Sequence, residues 1–126
     1  MPGVFRMLVQ TRPWDSTLRF YSDLEATNEL FRSMRRLVEH VASQPYAPLL
    51  FSTTSMHALL VAQHAQIELG HDVLKVERDP YGKGVRFTFQ EQPFVEPAKW
   101  ECSEDEVVGT FEGFLRKVKW VDTGRT

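Results

Sequence analysis

A chain of 126 residues, 42% hydrophobic and 25% charged, has the make-up of an ordinary globular domain able to bury roughly two-thirds of the surface its unfolded form exposes, which excludes disordered, collagen-like and coiled-coil readings. A formal net charge of −2 supplies no electrostatic footprint for DNA or RNA, so nucleic acid is not an expected partner. The single cysteine, Cys102, permits neither an internal disulfide nor a cysteine-built zinc site, and fits a reducing, cytoplasmic setting.

Near the start of the chain the apolar stretch is cut by Arg6 and ends by Gln10, too short for a signal-peptide core. No stretch approaches the roughly 18–20 apolar residues that cross a bilayer, so no membrane association is expected. Residues 5–10 read as a strand and 14–21 as an extended approach to the first helix. That helix is expected over 23–42, because Leu30, Phe31, Met34, Leu37, Val38 and Val41 recur at three- and four-residue spacing. Ser22 and Glu25 have capping-box spacing at its start, and Gln44-Pro45 marks its end. Glu25, Glu29, Arg32, Ser33, Arg36, His40 and Ser43 form its expected water-facing side.

The continuous apolar runs in 49–63 suit a buried strand or a short buried helix, and the strand is the preferred reading. Period-two alternation then places strands at Leu74 and Val76 and at Val85, Phe87 and Phe89, joined by turn residues between Asp79 and Gly84. Residues 92–99, with Pro93 and Pro97, read as a loop. A second helix is expected over 104–119, with Val107, Val108, Phe111, Phe114, Leu115 and Val118 as its apolar stripe. Ser103 and Glu106 form a capping box, and Cys102 before it is placed to staple onto Val107. Gly113 inside this helix implies a close backbone approach, since glycine there costs about 1 kcal/mol against alanine. The expected architecture is one α+β domain over 1–126: a single-layer, mostly antiparallel sheet of about four strands packed by two amphipathic helices.

Chemistry is sparse. Cys102 near a helix start has a position that can activate a thiol, but Glu101, Glu104, Asp105 and Glu106 disfavour a thiolate, so a buried packing role is expected. His57, His64 and His71 fall seven residues apart, a spacing that gathers a metal on neither a helix nor a strand; no metal and no cofactor is expected. Gly82-Lys83-Gly84 lacks a phosphate-loop context, and the hydroxyl run Ser52 to Ser55 lies in no nucleophile-elbow motif. Arg32, Arg35 and Arg36 read as a solvated face paired with Glu29 and Glu39. The element order resembles that of many small bacterial proteins only in a general way, with no motif that carries a function.

Aromatic residues at segment ends are the feature most suggestive of a partner. Trp14, Tyr81, Phe94 and Trp100 are the interface candidates, with Tyr46 and Trp120 in similar positions; Trp120 is expected to fold back on the sheet. The expected function is a non-enzymatic protein-binding or self-associating module, with a protein partner or a second copy of the chain as ligand. The alternative is a small enzyme or ligand-binding domain with a pocket between sheet and helices, lined by some of Ser55, His57, His64, His71 and Cys102. That alternative requires at least three of these side chains in one cleft.

Overall fold

The computed structural model describes residues 8–79, 81–82 and 84–121. Among them are three helices, α1 (Trp14–Thr27), α2 (Arg32–Ala42) and α3 (Val107–Val118). The strands are β1 (Leu8–Gln10), β2 (Phe51–Ser55), β3 (Ala58–Ala62), β4 (Gln66–Glu68), β5 (Val73–Arg78), β6 (Gly84–Gln90) and β7 (Ala98–Ser103). The α+β class stands as expected from the sequence. The single layer of four strands does not: a five-stranded antiparallel sheet ordered β2-β3-β5-β6-β7 is accompanied by a separate two-stranded sheet, β1-β4.

The N-terminal half departs most from expectation. Residues 14–21 are helical rather than extended, following Pro13, whose ψ of 150° places it just outside α1. Trp14, Thr17, Leu18, Tyr21 and Leu24 carry the inward stripe of this helix at helical spacing. Ser22 therefore lies in mid-helix and caps nothing. The single helix expected over 23–42 is broken at Asn28, which is extended (φ −152°, ψ 105°) and whose side chain accepts the Leu30 N–H at 3.0 Å. An asparagine side chain competes in this way with the helical ladder. Glu25, freed from capping, bridges the break: its carboxylate meets Arg32 at 3.1 Å and Arg35 at 2.7 Å on α2. The expected Arg32–Glu29 and Arg35–Glu39 pairs also form, at 3.7 and 2.8 Å. Ser33 is buried instead of water-facing, because α1 packs on α2 and widens its covered side beyond the apolar stripe.

Helices α1, α2 and α3 cover one face of the large sheet, where Met34, Leu37, Val38, Phe111 and Leu115 meet Leu59, Val61, Leu74, Val76, Val85 and Phe87. On the other face Ile67 of β4 forms a smaller cluster with Leu60, Ala62 and Val73. Strand β3 is therefore buried at all five positions, which is why its sequence is continuously apolar instead of alternating. Strand β4 is a three-residue segment with no periodicity to read. Strand β7 occupies the end of the expected loop 92–99 and the residues after it.

The C-terminal helix follows expectation closely. The Ser103–Glu106 capping box forms, preceding one 3-10 turn and then α3. Lys119 ends it in the left-handed region (φ 60°), with Trp120 N–H returning to the Leu115 carbonyl at 3.2 Å. Trp120 does fold back, edge-on to Phe89 and Phe114. The close approach expected at Gly113 is absent: the nearest atom to an added Cβ, at 3.9 Å, belongs to the flexible Arg116 side chain. Gly84 has that constraint instead, since a Cβ there would lie 3.0 Å from the Cys102 carbonyl oxygen of the neighbouring strand. Residues 5–7 of the expected first strand, and Pro80 and Lys83 of the turn, lie outside the described residues.

Candidate functional site

A recess lies where the α1–α2 connection meets the β2–β3 turn. It encloses about 580 Å³ and is lined by Asn28, Leu30 and Phe31 from the connection, by 55–58 from the turn, and by Lys75 and 77–79 from β5 and the residue after it. Two residues, Met56 and His57, join β2 to β3, with Ser55 paired to Ala58. Met56 has φ 57°, a left-handed conformation that glycine normally supplies in such a turn. Its side chain is 91% exposed, beside Leu30 at 52%.

The turn is held from behind. Buried Tyr21 donates its hydroxyl to the His57 carbonyl at 3.0 Å, and burial raises the pKa of that phenol. The His57 ring stands edge-on to Phe31, with centroids 5.3 Å apart, and also neighbours Phe20. On the far wall Arg78 is 7% exposed, donates to the Gly84 carbonyl at 3.0 Å and lies 4.0 Å from Glu104. Its Nε is buried with no hydrogen-bond partner among the described residues. The recess thus combines an apolar lip with charges of both signs: Lys75, paired with Glu77 at 3.5 Å, and Arg78 and Asp79.

The histidines occupy different places. His57 lies in this recess, whereas His64 and His71 line another, of about 410 Å³, with Glu68 and Asp72 near the small sheet. His71 Nε2 lies 3.3 Å from Glu68. Cys102 is on β7 against the core; burial raises its thiol pKa, a hydrogen bond with Thr110 opposes the rise, and Glu106 adds to it. Two of the five proposed pocket residues, Ser55 and His57, share the first recess, and His64 and His71 share the second. Among the described residues, no three histidine, cysteine or carboxylate side chains form a group able to hold a metal.

The interface candidates are equally dispersed. Tyr81, 97% exposed, lies between β5 and β6, at the same end of the sheet as Met56. Phe94 is fully exposed at the opposite end, between β6 and β7, with φ 66°. Trp100 is half-buried on β7, stacked between Phe87 and Phe114. Trp14 is also half-buried, donating its indole N–H to the carbonyls of Ala47 and Leu50 at 3.2 and 3.1 Å. Trp14→Phe removes that donor and is expected to lower stability by about 1 kcal/mol. Urea unfolding of the variant measures this, and an unchanged midpoint contradicts it.

One constellation escaped the sequence reading altogether. Glu112 of α3 accepts two hydrogen bonds on the same oxygen, from His40 Nε2 of α2 and from the Tyr46 hydroxyl, both at 2.7 Å. Burial opposes ionisation of Glu112, yet the bonds from His40 and Tyr46 and the charges of His40 and Arg116 hold its carboxyl below the ordinary range. Tyr46 shifts upward, by burial first and then through its bond to Glu112. These residues lie 66 and 72 positions apart in sequence, beyond any local motif. The two hydrogen bonds fasten α2 and the segment after it to α3.

Among the described residues, no helix is long and apolar enough to cross a membrane. No family model, curated protein or solved structure matches the chain.

Proposed function

We propose that this protein is a non-enzymatic binding module that docks a protein segment in the recess between the α1–α2 connection and the β2–β3 turn. The carrying observation is Met56, a large apolar side chain held out into solvent by a left-handed backbone beside exposed Leu30. Left-handed backbone costs a residue with a Cβ about 1 kcal/mol or more, and exposing an apolar side chain forgoes burial energy. Glycine would relieve the first penalty without loss of any buried contact. A retained backbone outlier at a recess is a reason to infer function there. The partner fitting this recess presents an apolar anchor flanked by charges of both signs, because Lys75, Glu77, Arg78 and Asp79 all line it.

Selection of displayed peptides on the whole chain tests the reading. Enriched peptides should carry an apolar anchor and bind Met56→Gly or Leu30→Asp at least about tenfold more weakly. Met56→Gly should at the same time gain about 1 kcal/mol in stability, separating lost binding from lost folding. Peptides indifferent to both substitutions, or no enrichment, overturn the docking site. A glycine variant less stable than the parent overturns the strain on which it rests.

A second reading, a recess for a small anion, is favoured by the buried, unpartnered Arg78 Nε. It requires a rise in Tm with added inorganic phosphate or acetate, and an unchanged Tm removes it.

A further inference from the structure

The large sheet ends in two unlike edges. Strand β2 is covered in part, where Arg12 N–H donates to the Ser52 carbonyl at 2.8 Å. Strand β7 pairs with β6 along one side, and among the described residues no strand pairs with its other side. An uncovered edge presents a row of backbone donors and acceptors to any second strand. We infer that the β7 edge is a self-association surface, on which a second copy of this chain pairs antiparallel through its own β7, with the two-fold axis passing beside Trp100. This surface is separate from the Met56 recess and stands or falls without it.

The register follows from the charges. Trp100 lies on the helix side of the sheet, stacked on Phe87 and Phe114, so by alternation Lys99 and Glu101 point to the other side. In an antiparallel pair centred on Trp100, Lys99 of one copy stands directly opposite Glu101 of the other, twice over. Glu101 already meets Arg86 of β6, with 3.4 Å between Nε and the carboxylate. The seam then reads Arg86, Glu101, Lys99 across the two copies, positive, negative, positive, and the reverse on the other side of the axis. Other two-fold registers lose this match: centring on Lys99 opposes two lysines, and centring on Glu101 opposes two glutamates. Like charges directly opposite are destabilising and unlike ones stabilising, so one register is selected.

The helix side of the seam has room for the match. Between β7 and α3 runs a groove of about 440 Å³ whose walls include Ala98, Trp100, Thr110, Gly113 and Phe114. Ala98, Thr110 and Gly113 are small, and no described residue fills the space that Gly113 leaves beyond the Arg116 side chain. Trp100 of the second copy, stacked on its own Phe87 and Phe114, lies on this side directly across the axis from its counterpart. Pro97 and Lys99 work against indiscriminate strand addition, as edge prolines and lysines do, which restricts the edge to a partner carrying a complementary charge.

Sedimentation equilibrium of the full chain and two charge-reversal variants tests the inference. The parent chain should show reversible association to twice its 14.6 kDa mass. Lys99→Glu and Glu101→Lys should each weaken association about tenfold, because each turns two attractive cross-strand pairs into repulsive ones. An equimolar mixture of the two variants should recover it as a heterodimer. In that heterodimer the introduced glutamate faces the introduced lysine, and the Glu101 kept by one variant faces the Lys99 kept by the other. Recovery on mixing cannot arise from misfolded single variants. A parent chain still monomeric at about 100 µM, single variants that associate like the parent, or a mixture that stays monomeric overturns the inference.

Discussion

Phe87→Ala is expected to lower the unfolding free energy by about 3–5 kcal/mol, a large part of the roughly 5–15 kcal/mol available to a domain of this kind. Phe87 has no solvent exposure, sits opposite Val76 on β5 and Trp100 on β7, and stacks on the Trp100 ring at 5.5 Å and 14°. Removing its ring leaves a cavity within the sheet, bordered by the Trp100 indole, which keeps its stack on Phe114. Denaturant unfolding followed by circular dichroism gives the loss, and tryptophan emission should report the changed surroundings of Trp100. A loss under about 1.5 kcal/mol would mean that the sheet and helices are not closed over this position.

Glu112→Ala is expected to cost about 2–3 kcal/mol, because it takes the acceptor from two donors at once and leaves the hydroxyl of Tyr46, itself 5% exposed, without its partner. Glu112→Gln keeps an acceptor but no charge and should cost less. The pH dependence has a definite sign. Because the folded carboxyl has a pKa below its ordinary 4.5, the unfolded state binds the proton more readily. The Glu112 contribution is therefore fully present above the ordinary value and disappears as the pH falls through the lower, folded one. The stability difference between the parent and Glu112→Gln should accordingly shrink as the pH falls below about 4.5. A difference that stays constant over that range would show that the charge of Glu112 plays no part.

What the sequence disclosed, and what it hid, divides along physical lines. The C-terminal half was legible because each signal there is local: the β5–β6 alternation, the Ser103–Glu106 box, and the stripe from Val107 to Val118. Strand β7 has its own alternation, with Ala98, Trp100 and Cys102 against Lys99, Glu101 and Ser103, but the two prolines preceding it obscured it. In the N-terminal half, the capping-box spacing at Ser22 and Glu25 invites a helix running from there into the stripe at Leu30, although the Leu24-to-Leu30 step breaks the helical period at Asn28. A separate stripe begins at Trp14, where polar residues between its members blur the helical period. The candidate recess was not legible, since it depends on a backbone torsion at Met56 and on segments brought together by the fold. The Glu112 constellation is non-local for the same reason.

Strand β3 carries one last consequence. A strand greasy on both sides holds no information about which way up it should lie, because sliding it by one residue exchanges one buried hydrophobic set for another. Its alignment must come from elsewhere: the hydroxyl-bearing residues of β2 alongside, the alternating β5 on the other flank, and above all the two-residue link through Met56 and His57. Lengthening that link by a single residue would leave β3 nearly as content one step out of place. The chain would then have two competing pairings where it now has one.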